Sequence, residues 1–249
     1  SLLEEIAPID SELTTKLADA YGITHQYRVE RFEKRDDKIE VFFTSGKSIA
    51  TDLVILSIGV RPETALAKAA GLRVGETGGI WVDDYLQTSA ADVYAVGDAI
   101  EFPHPLTGKP WLNYLANPAN RQGRIAADNM LDRHSLYHGS QGTSICKVFS
   151  LSIGSVGANE KQLKVHGTRY EKVYVHAADH AGYYPGATMI SLKLLFSPDT
   201  GKILGAQASG KKGVDKRIDV LSVAQRAGLT VNDLEHLELT YAPPFNSAR

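Results

Sequence analysis

The chain carries two textures of apolar spacing, and they divide it. In the first part, Leu13, Leu17 and Ala20 share one side of a helix predicted over residues 10–21, with Gly22 as its stop. Residues 23–32 and 38–43 read as extended runs joined by the polar loop 33–37, a hairpin. Residues 53–58 are apolar throughout, the pattern of a strand covered on both faces in an α/β sheet. A short helix over 64–70 ends at Gly71, Gly78-Gly79 turns into an extended piece at 80–82, and a second apolar strand, 93–96, runs into Gly97-Asp98. A clear helix follows, with Asn117 as its cap, Pro118 in its first turn and Ile125, Ala126 and Met130 along its apolar side to about residue 131.

Beyond residue 136 the pattern changes. Strands are expected at 145–149, 172–177 and 191–196, with a hairpin turn at 199–201. Val214, Ile218, Leu221 and Ala224 mark one face of a helix stopped by Gly228. Antiparallel strands packed on helices make an α+β domain, appended here to an α/β region.

Composition narrows the function classes. With 29 acidic against 27 basic side chains and a formal charge of -2 in 249 residues, nothing favours nucleic acid or an anionic membrane. No stretch approaches the roughly 20 apolar residues that span a bilayer. A single cysteine, Cys146, cannot form an intrachain disulfide and suits a reducing compartment, so a cytoplasmic protein is expected. The opening residues lack the features of a signal peptide and read as a chain entered midway through a domain.

The strongest local signal is Val93-Tyr94-Ala95-Val96-Gly97-Asp98-Ala99, where a strand delivers a carboxylate at the edge at which open α/β sheets bind ligands. Such a carboxylate accepts bonds from sugar or polyol hydroxyls, although a turn or cap aspartate reads equally well. The helix start at Asn117-Pro118-Ala119 offers unpaired N–H groups to an electron-rich ligand. Tyr183-Tyr184-Pro185-Gly186 and Tyr241-Ala242-Pro243-Pro244-Phe245 hold aromatic rings in stiff segments, fit for stacking, an interface or core filling. The basic cluster Lys211, Lys212, Lys216 and Arg217 reads as a solvated helix face or as a phosphate contact. His176 and His180 beside Asp179 raise the question of a metal, but spacing of four in strand-like sequence does not converge and no metal site is expected. Cys146 reads as a buried packing residue. Gly-x-Gly-x-x-Gly fingerprints, phosphate loops and nucleophile elbows do not occur.

Taken together, residues 51–62, the segment from Thr88 to Ala99, and residues 118–124, 180–186 and 239–245 resemble the pyridine nucleotide-disulfide oxidoreductases across essentially the whole chain. The likeness is greatest to the branch of coenzyme A-disulfide reductases, NADH oxidases and NADH peroxidases. It implies an α/β fold: residues 1–61 as the end of an NAD(P)-binding domain, 62–135 as the returning segment of an FAD-binding domain, and 136–249 as an α+β dimerisation domain. It implies FAD and NAD(P)H as cofactors, coenzyme A as a further ligand, a homodimer through the carboxy-terminal domain, and a small disulfide, persulfide or polysulfide as substrate. Gly59, Gly97, Asp98, Ala116, Pro118 and Ala119 would bind cofactor. Tyr184 and Tyr241, with Tyr183 as the alternative for the first, would form a pair approaching the active-site thiol, and Tyr183, Lys212 and Arg217 would meet substrate. Cys146 does not match the family's redox cysteine, and both dinucleotide fingerprints are absent from these residues, so the chain taken alone is expected to be inactive. An oxidase or peroxidase, and a non-catalytic dimerisation or FAD-binding fragment, are the alternatives.

Overall fold

The computed structural model describes residues 28–247. The chain divides between Gly59 and Val60 into two compact units. In the first, β1 (Val29–Arg35), β2 (Lys38–Phe43) and β3 (Ser48–Thr51) form an antiparallel meander in that order. The expected hairpin is present, but its turn is shorter than the predicted loop. Charged residues 33–35 stay in β1, and the chain reverses at Asp36, whose φ of 51° a short polar side chain tolerates. The Arg31 guanidinium, 2.8 Å from Glu33 and 3.9 Å above the Phe42 ring, shows how a charged strand still packs.

One expectation in this unit fails. Residues 53–58 form no strand, and Leu53, Ile55, Leu56 and Ile58 are exposed. An apolar run becomes a strand only when a neighbour takes its backbone hydrogen bonds, and among the described residues no strand pairs with it. The helix expected at 10–21 and the start of the run from residue 23 lie outside the described residues.

The second unit begins with α1 (Ala65–Ala69), stopped by the left-handed Gly71. β4 (Ile80–Trp81) pairs parallel to β5 (Ile100–Pro103), which pairs antiparallel to β6 (Pro110–Trp111). The strand expected at 93–96 is reduced to one bridge, Tyr94 to Gln87. Asp92, at φ 62°, turns the chain back on residues 86–88, and bonds from Thr88 N to Val93 O (2.8 Å) and from Ala95 N to Leu86 O (3.1 Å) occupy its backbone. A 3-10 turn, Gly97–Ala99, follows directly.

α2 (Ala116–Asn129) starts slightly before the expected point. Leu115, not Asn117, occupies the cap position, so Pro118 is the third helical residue, where a missing N–H is still harmless. Its buried side is Gln122, Ala126 and Asn129, and Met130 is exposed. Polar residues displace the expected apolar stripe because each has partners: Asn129 Nδ2 donates to Tyr85 O (2.7 Å) and Ser135 O (2.9 Å). A core of Val82, Leu86, Ile100, Phe102, Ala126 and Tyr137 lies beneath.

The remainder contains β7 (Ser144–Val148), β8 (Leu151–Gly157), α3 (Glu160–Val165), β9 (Glu171–Ala178), β10 (Met189–Phe196), β11 (Ile203–Gly210) and α4 (Val214–Arg226). The strands form one antiparallel sheet in the order β7-β8-β11-β10-β9. α4 buries Val214, Ile218, Leu221 and Ala224, the expected face, against Val156, Ile190, Leu194, Ile203, Ala206 and Ala208. Small residues bring the helix close: a Cβ on Gly154 would lie 2.8 Å from Ile218 Cγ1. On another side of the sheet Leu163 of α3 packs with Ala158, Leu195 and Leu204, and α3 opens on a capping box between Asn159 and Gln162. Cys146 corrects its expectation. It is exposed, as are Ile145 and Lys147 beside it on β7, a strand at the edge of the sheet.

Candidate functional site

Two groups of residues in the second unit gather chemistry. The first joins the 3-10 turn at Gly97 to α2. Gly97 sits at φ 80°, and its N–H donates to Gln122 Oε1 at 2.7 Å. Gln122 is 1% exposed, and its Nε2 donates in turn to the Tyr137 hydroxyl at 2.8 Å. A buried amide therefore fixes the turn to the helix, with donor and acceptor both used. Burial pushes the Tyr137 phenol above its ordinary pKa, against the lowering effect of the Gln122 bond.

This relay sets Asp98 beside the start of α2. A Cβ on Gly97 would only just reach Ala119 Cβ, at 3.9 Å, so the turn and the helix lie side by side. The Asp98 carboxylate is exposed, and after burial its charge is the second cause raising the pKa of Tyr114. No side chain caps α2, which leaves the N–H groups of Ala116 and Asn117 facing outward with the positive end of the helix dipole. An open hollow of about 440 Å³ lies over the first turns, lined by Ala116, Asn117, Asn120, Arg121 and Arg124. The arrangement offers one acceptor for hydroxyls and a set of donors and cations for carbonyl or phosphate oxygens. Gly97, Asp98, Ala116, Pro118 and Ala119 are thus brought together. Gly59 belongs to the other unit, exposed and at φ 88°.

The second group is built where the loop after β9 meets the segment 240–247. The Tyr183 and Tyr241 hydroxyls are 2.9 Å apart, and the two residues are 77% and 50% exposed. The hydrogen bond to Tyr241 raises the Tyr183 phenol above its ordinary pKa. Tyr184 instead turns its ring edge-on to His180, with centroids 5.8 Å apart.

Several bonds hold the two segments together. Ala181 N donates to Pro243 O at 3.3 Å. Arg217 Nη2 donates to Asp179 O (2.8 Å) and to Asn246 Oδ1 (2.9 Å), while Asn246 Nδ2 donates to Thr240 O (3.2 Å). Lys216 Nζ donates to Phe245 O at 3.0 Å. The Asp179 carboxylate accepts from Thr188 N (2.8 Å) and from the Thr188 hydroxyl (3.1 Å), and His180 Nδ1 lies 3.0 Å from it. Burial alone would raise that carboxyl, but the Thr188 bonds and neighbouring His180 outweigh it and hold it below its ordinary value.

Of the basic cluster, Lys211 and Lys212 are exposed, while Lys216 and Arg217 are part-buried in this clamp. Among the described residues no group of three metal-ligating side chains gathers. His176 Nδ1 lies 2.9 Å from Ser191 Oγ, and His180 is only 7% exposed. Sequence reasoning gave no role to Gln122 or Asn246, and weighed Asp179 only beside His176 and His180 for a metal. Gln122 could have been noticed as a polar residue on an apolar helix stripe, but nothing in the spacing connects residues 179, 217 and 246.

Comparison with known proteins identifies the family. The family pattern of pyridine nucleotide-disulphide oxidoreductases matches residues 6–123, and that of the family's dimerisation domain matches residues 143–249. A Pyrococcus furiosus protein described as an NAD(P)H sulfur oxidoreductase (CoA-dependent) is 37% identical over 209 residues, 84% of this chain and 47% of the relative. A coenzyme A disulfide reductase of Staphylococcus epidermidis is 38% identical over 208 residues, 83% of this chain and 47% of the relative. The crystal structure of reduced Bacillus anthracis CoADR-RHD superposes with a TM-score of 0.92 at 46% identity, covering 97% of this chain and 44% of that one. The chain spans about half the length of the curated relatives it matches.

Proposed function

Because this chain belongs to the pyridine nucleotide-disulphide oxidoreductases, we propose that it is the carboxy-terminal part of an FAD-dependent enzyme that passes electrons from NAD(P)H to a small sulfur substrate. Coenzyme A disulfide, or a persulfide or polysulfide, is the substrate class. The observation that carries this reading is the exposed pair of phenol hydroxyls, Tyr183 and Tyr241, at 2.9 Å. In such a pair one hydroxyl donates to the other, and the acceptor keeps its own proton for a third atom. Hydrogen bonds in sequence polarise one another, so that outward proton is a better donor than an isolated phenol's. A sulfur leaving group that gains negative charge is a fitting acceptor. This supports Tyr183 over Tyr184 as the first member of the pair, with Tyr184 left to pack on His180.

The residues of the first group suit FAD. The uncapped start of α2 and the Cβ-free turn at Gly97 admit a flat, electron-rich ligand, and Asp98 can accept bonds from its ribityl hydroxyls. When bound, FAD supplies the two-electron chemistry between the nicotinamide and sulfur. The chain's own part would be to orient: Asp98 would hold the polyol, and the amides of Ala116 and Asn117, with Pro118 and Ala119 beside them, would face the ring. Gly59, in the first unit, would belong to the NAD(P)H-binding part. Lys212, exposed two residues before α4, would meet a phosphate of coenzyme A. We assign residues 1–61 to an NAD(P)-binding domain, 62–135 to an FAD-binding domain and 136–249 to a domain that pairs two copies, in the cytoplasm.

The test is a turnover panel on the parent enzyme, with NADH and NADPH offered against coenzyme A disulfide, polysulfide, oxygen and hydrogen peroxide under controlled oxygen. The reading expects the sulfur substrates to exceed oxygen and peroxide in kcat/KM. Preference for oxygen or peroxide overturns it in favour of an oxidase or peroxidase.

A further inference from the structure

From the contacts around α4 we infer that Arg217 is a positioning residue, holding the Tyr183–Tyr241 pair in register from behind rather than meeting substrate itself. Tyr183 stands on the loop that begins at Asp179, and Tyr241 on the segment that ends at Asn246. Neither segment is a helix or a strand, and each needs an external tie to keep a fixed place. Arg217 supplies one tie to both, since Nη2 donates to Asp179 O (2.8 Å) and to Asn246 Oδ1 (2.9 Å). A guanidinium suits this task because its donors lie in one rigid plane, so fixing one acceptor fixes the direction of the other.

The surroundings are fitted to that role. Gly213 precedes α4 at φ 70°, and a Cβ there would come within 2.8 Å of Arg217 Nη1, so the absence of a side chain makes room for the guanidinium. Asn246 is buried and carries the tie onward, donating to Thr240 O at 3.2 Å, the residue just before Tyr241. Asp179 is fixed in turn by two bonds from Thr188. The path from Arg217 to each hydroxyl is therefore short and built of bonded groups.

The functional meaning of this tie rests on the tyrosine pair facing sulfur, but the tie itself does not, so its test uses neither substrate nor flavin. The chain is labelled with 13Cζ-tyrosine, the Tyr183 and Tyr241 signals are identified with Tyr183→Phe and Tyr241→Phe, and each phenol is titrated by NMR. In the unaltered chain Tyr183 should titrate above an ordinary phenol, and Tyr241→Phe should remove that elevation. Arg217→Met and Asn246→Ala, each breaking the tie from one end, should lower the Tyr183 midpoint to the value seen in Tyr241→Phe while the other tyrosine signals stay in place. Arg217→Lys should recover part of the elevation. If Arg217→Met does not fold, Asn246→Ala decides alone. An unchanged Tyr183 midpoint in Asn246→Ala, or in a folded Arg217→Met, overturns the inference. Sulfur turnover in the parent enzyme that survives a lowered Tyr183 midpoint would instead count against the functional reading.

Discussion

Tyr183 and Tyr241 share a hydrogen bond of 2.9 Å between their hydroxyls across a sequence separation of 58 residues. Neither lies in regular secondary structure, and neither is buried. Two exposed phenols do not find each other without reason, and here the reason is the set of ties from α4 behind them.

If one phenol presents a proton to sulfur, removing a hydroxyl should slow that step selectively. Tyr241→Phe in the parent enzyme is expected to slow thiol turnover by roughly tenfold or more, about the 1.4 kcal/mol of one modest hydrogen bond, with flavin reduction by NAD(P)H unchanged. Stopped-flow comparison of the two half-reactions measures this. Equal effects on both would remove the tyrosines from the chemistry.

Asp98 carries a different expectation. A carboxylate bonded to hydroxyls contributes about 1.5–3 kcal/mol, so Asp98→Ala should weaken FAD binding roughly 10- to 100-fold. Flavin-fluorescence titration of the apoprotein of the parent enzyme reports the Kd, and an unchanged Kd would show that the polyol does not meet this residue.

Gln122 links Gly97 to Tyr137, and replacing it with leucine leaves both without their partner in a buried place. Gln122→Leu should cost about 1–3 kcal/mol in urea unfolding, more than Tyr137→Phe, which removes only the outer bond. A smaller cost for Gln122→Leu than for Tyr137→Phe would contradict the relay.

Glu160 gives a pH signature. Burial alone would raise its carboxyl, but Lys193, Tyr170 and Lys172 outweigh that and bring its pKa from 4.5 to about 2. A carboxyl depressed on folding stabilises the fold above its unfolded value, and the contribution is lost as pH falls from about 4.5 through about 2. Thermal unfolding from pH 6 to pH 2 should show a loss of Tm in that window that is reduced in Glu160→Gln. Identical slopes in the two proteins would rule it out.

The helices α1, α2 and α4 were legible, as were several strands, because their signals are local, whereas α3 and the strands β3, β5, β6 and β8 were not foreseen. The four positions of α4 at Val214, Ile218, Leu221 and Ala224 can be read from the sequence, and they are the four that are buried. Residues 53–58 and 93–96 misled because apolar content reports affinity for a sheet, not the presence of a neighbour to pair with. Of the candidate cofactor residues named by resemblance, Gly97, Asp98, Ala116, Pro118 and Ala119 fall together, while Gly59 lies in the other unit. The tyrosine partner was half legible: adjacent tyrosines at 183 and 184 look alike in sequence, and only the turn at Ala181, whose carbonyl accepts from Tyr184 N at 2.9 Å, decides which ring faces Tyr241. Arg217 looked like a ligand contact because a cluster of positive charge says nothing about which members bend inward.

The glycine at position 154 has a reach beyond its own strand. It lets α4 rest directly against the sheet, since even a methyl there would meet Ile218 at 2.8 Å. Ile218 is the next residue after Arg217, so any lift of the helix at that point is passed to the arginine that steadies both aromatic rings. The lack of a side chain at one strand position would thus help to aim the tyrosine pair held at that same end of the helix.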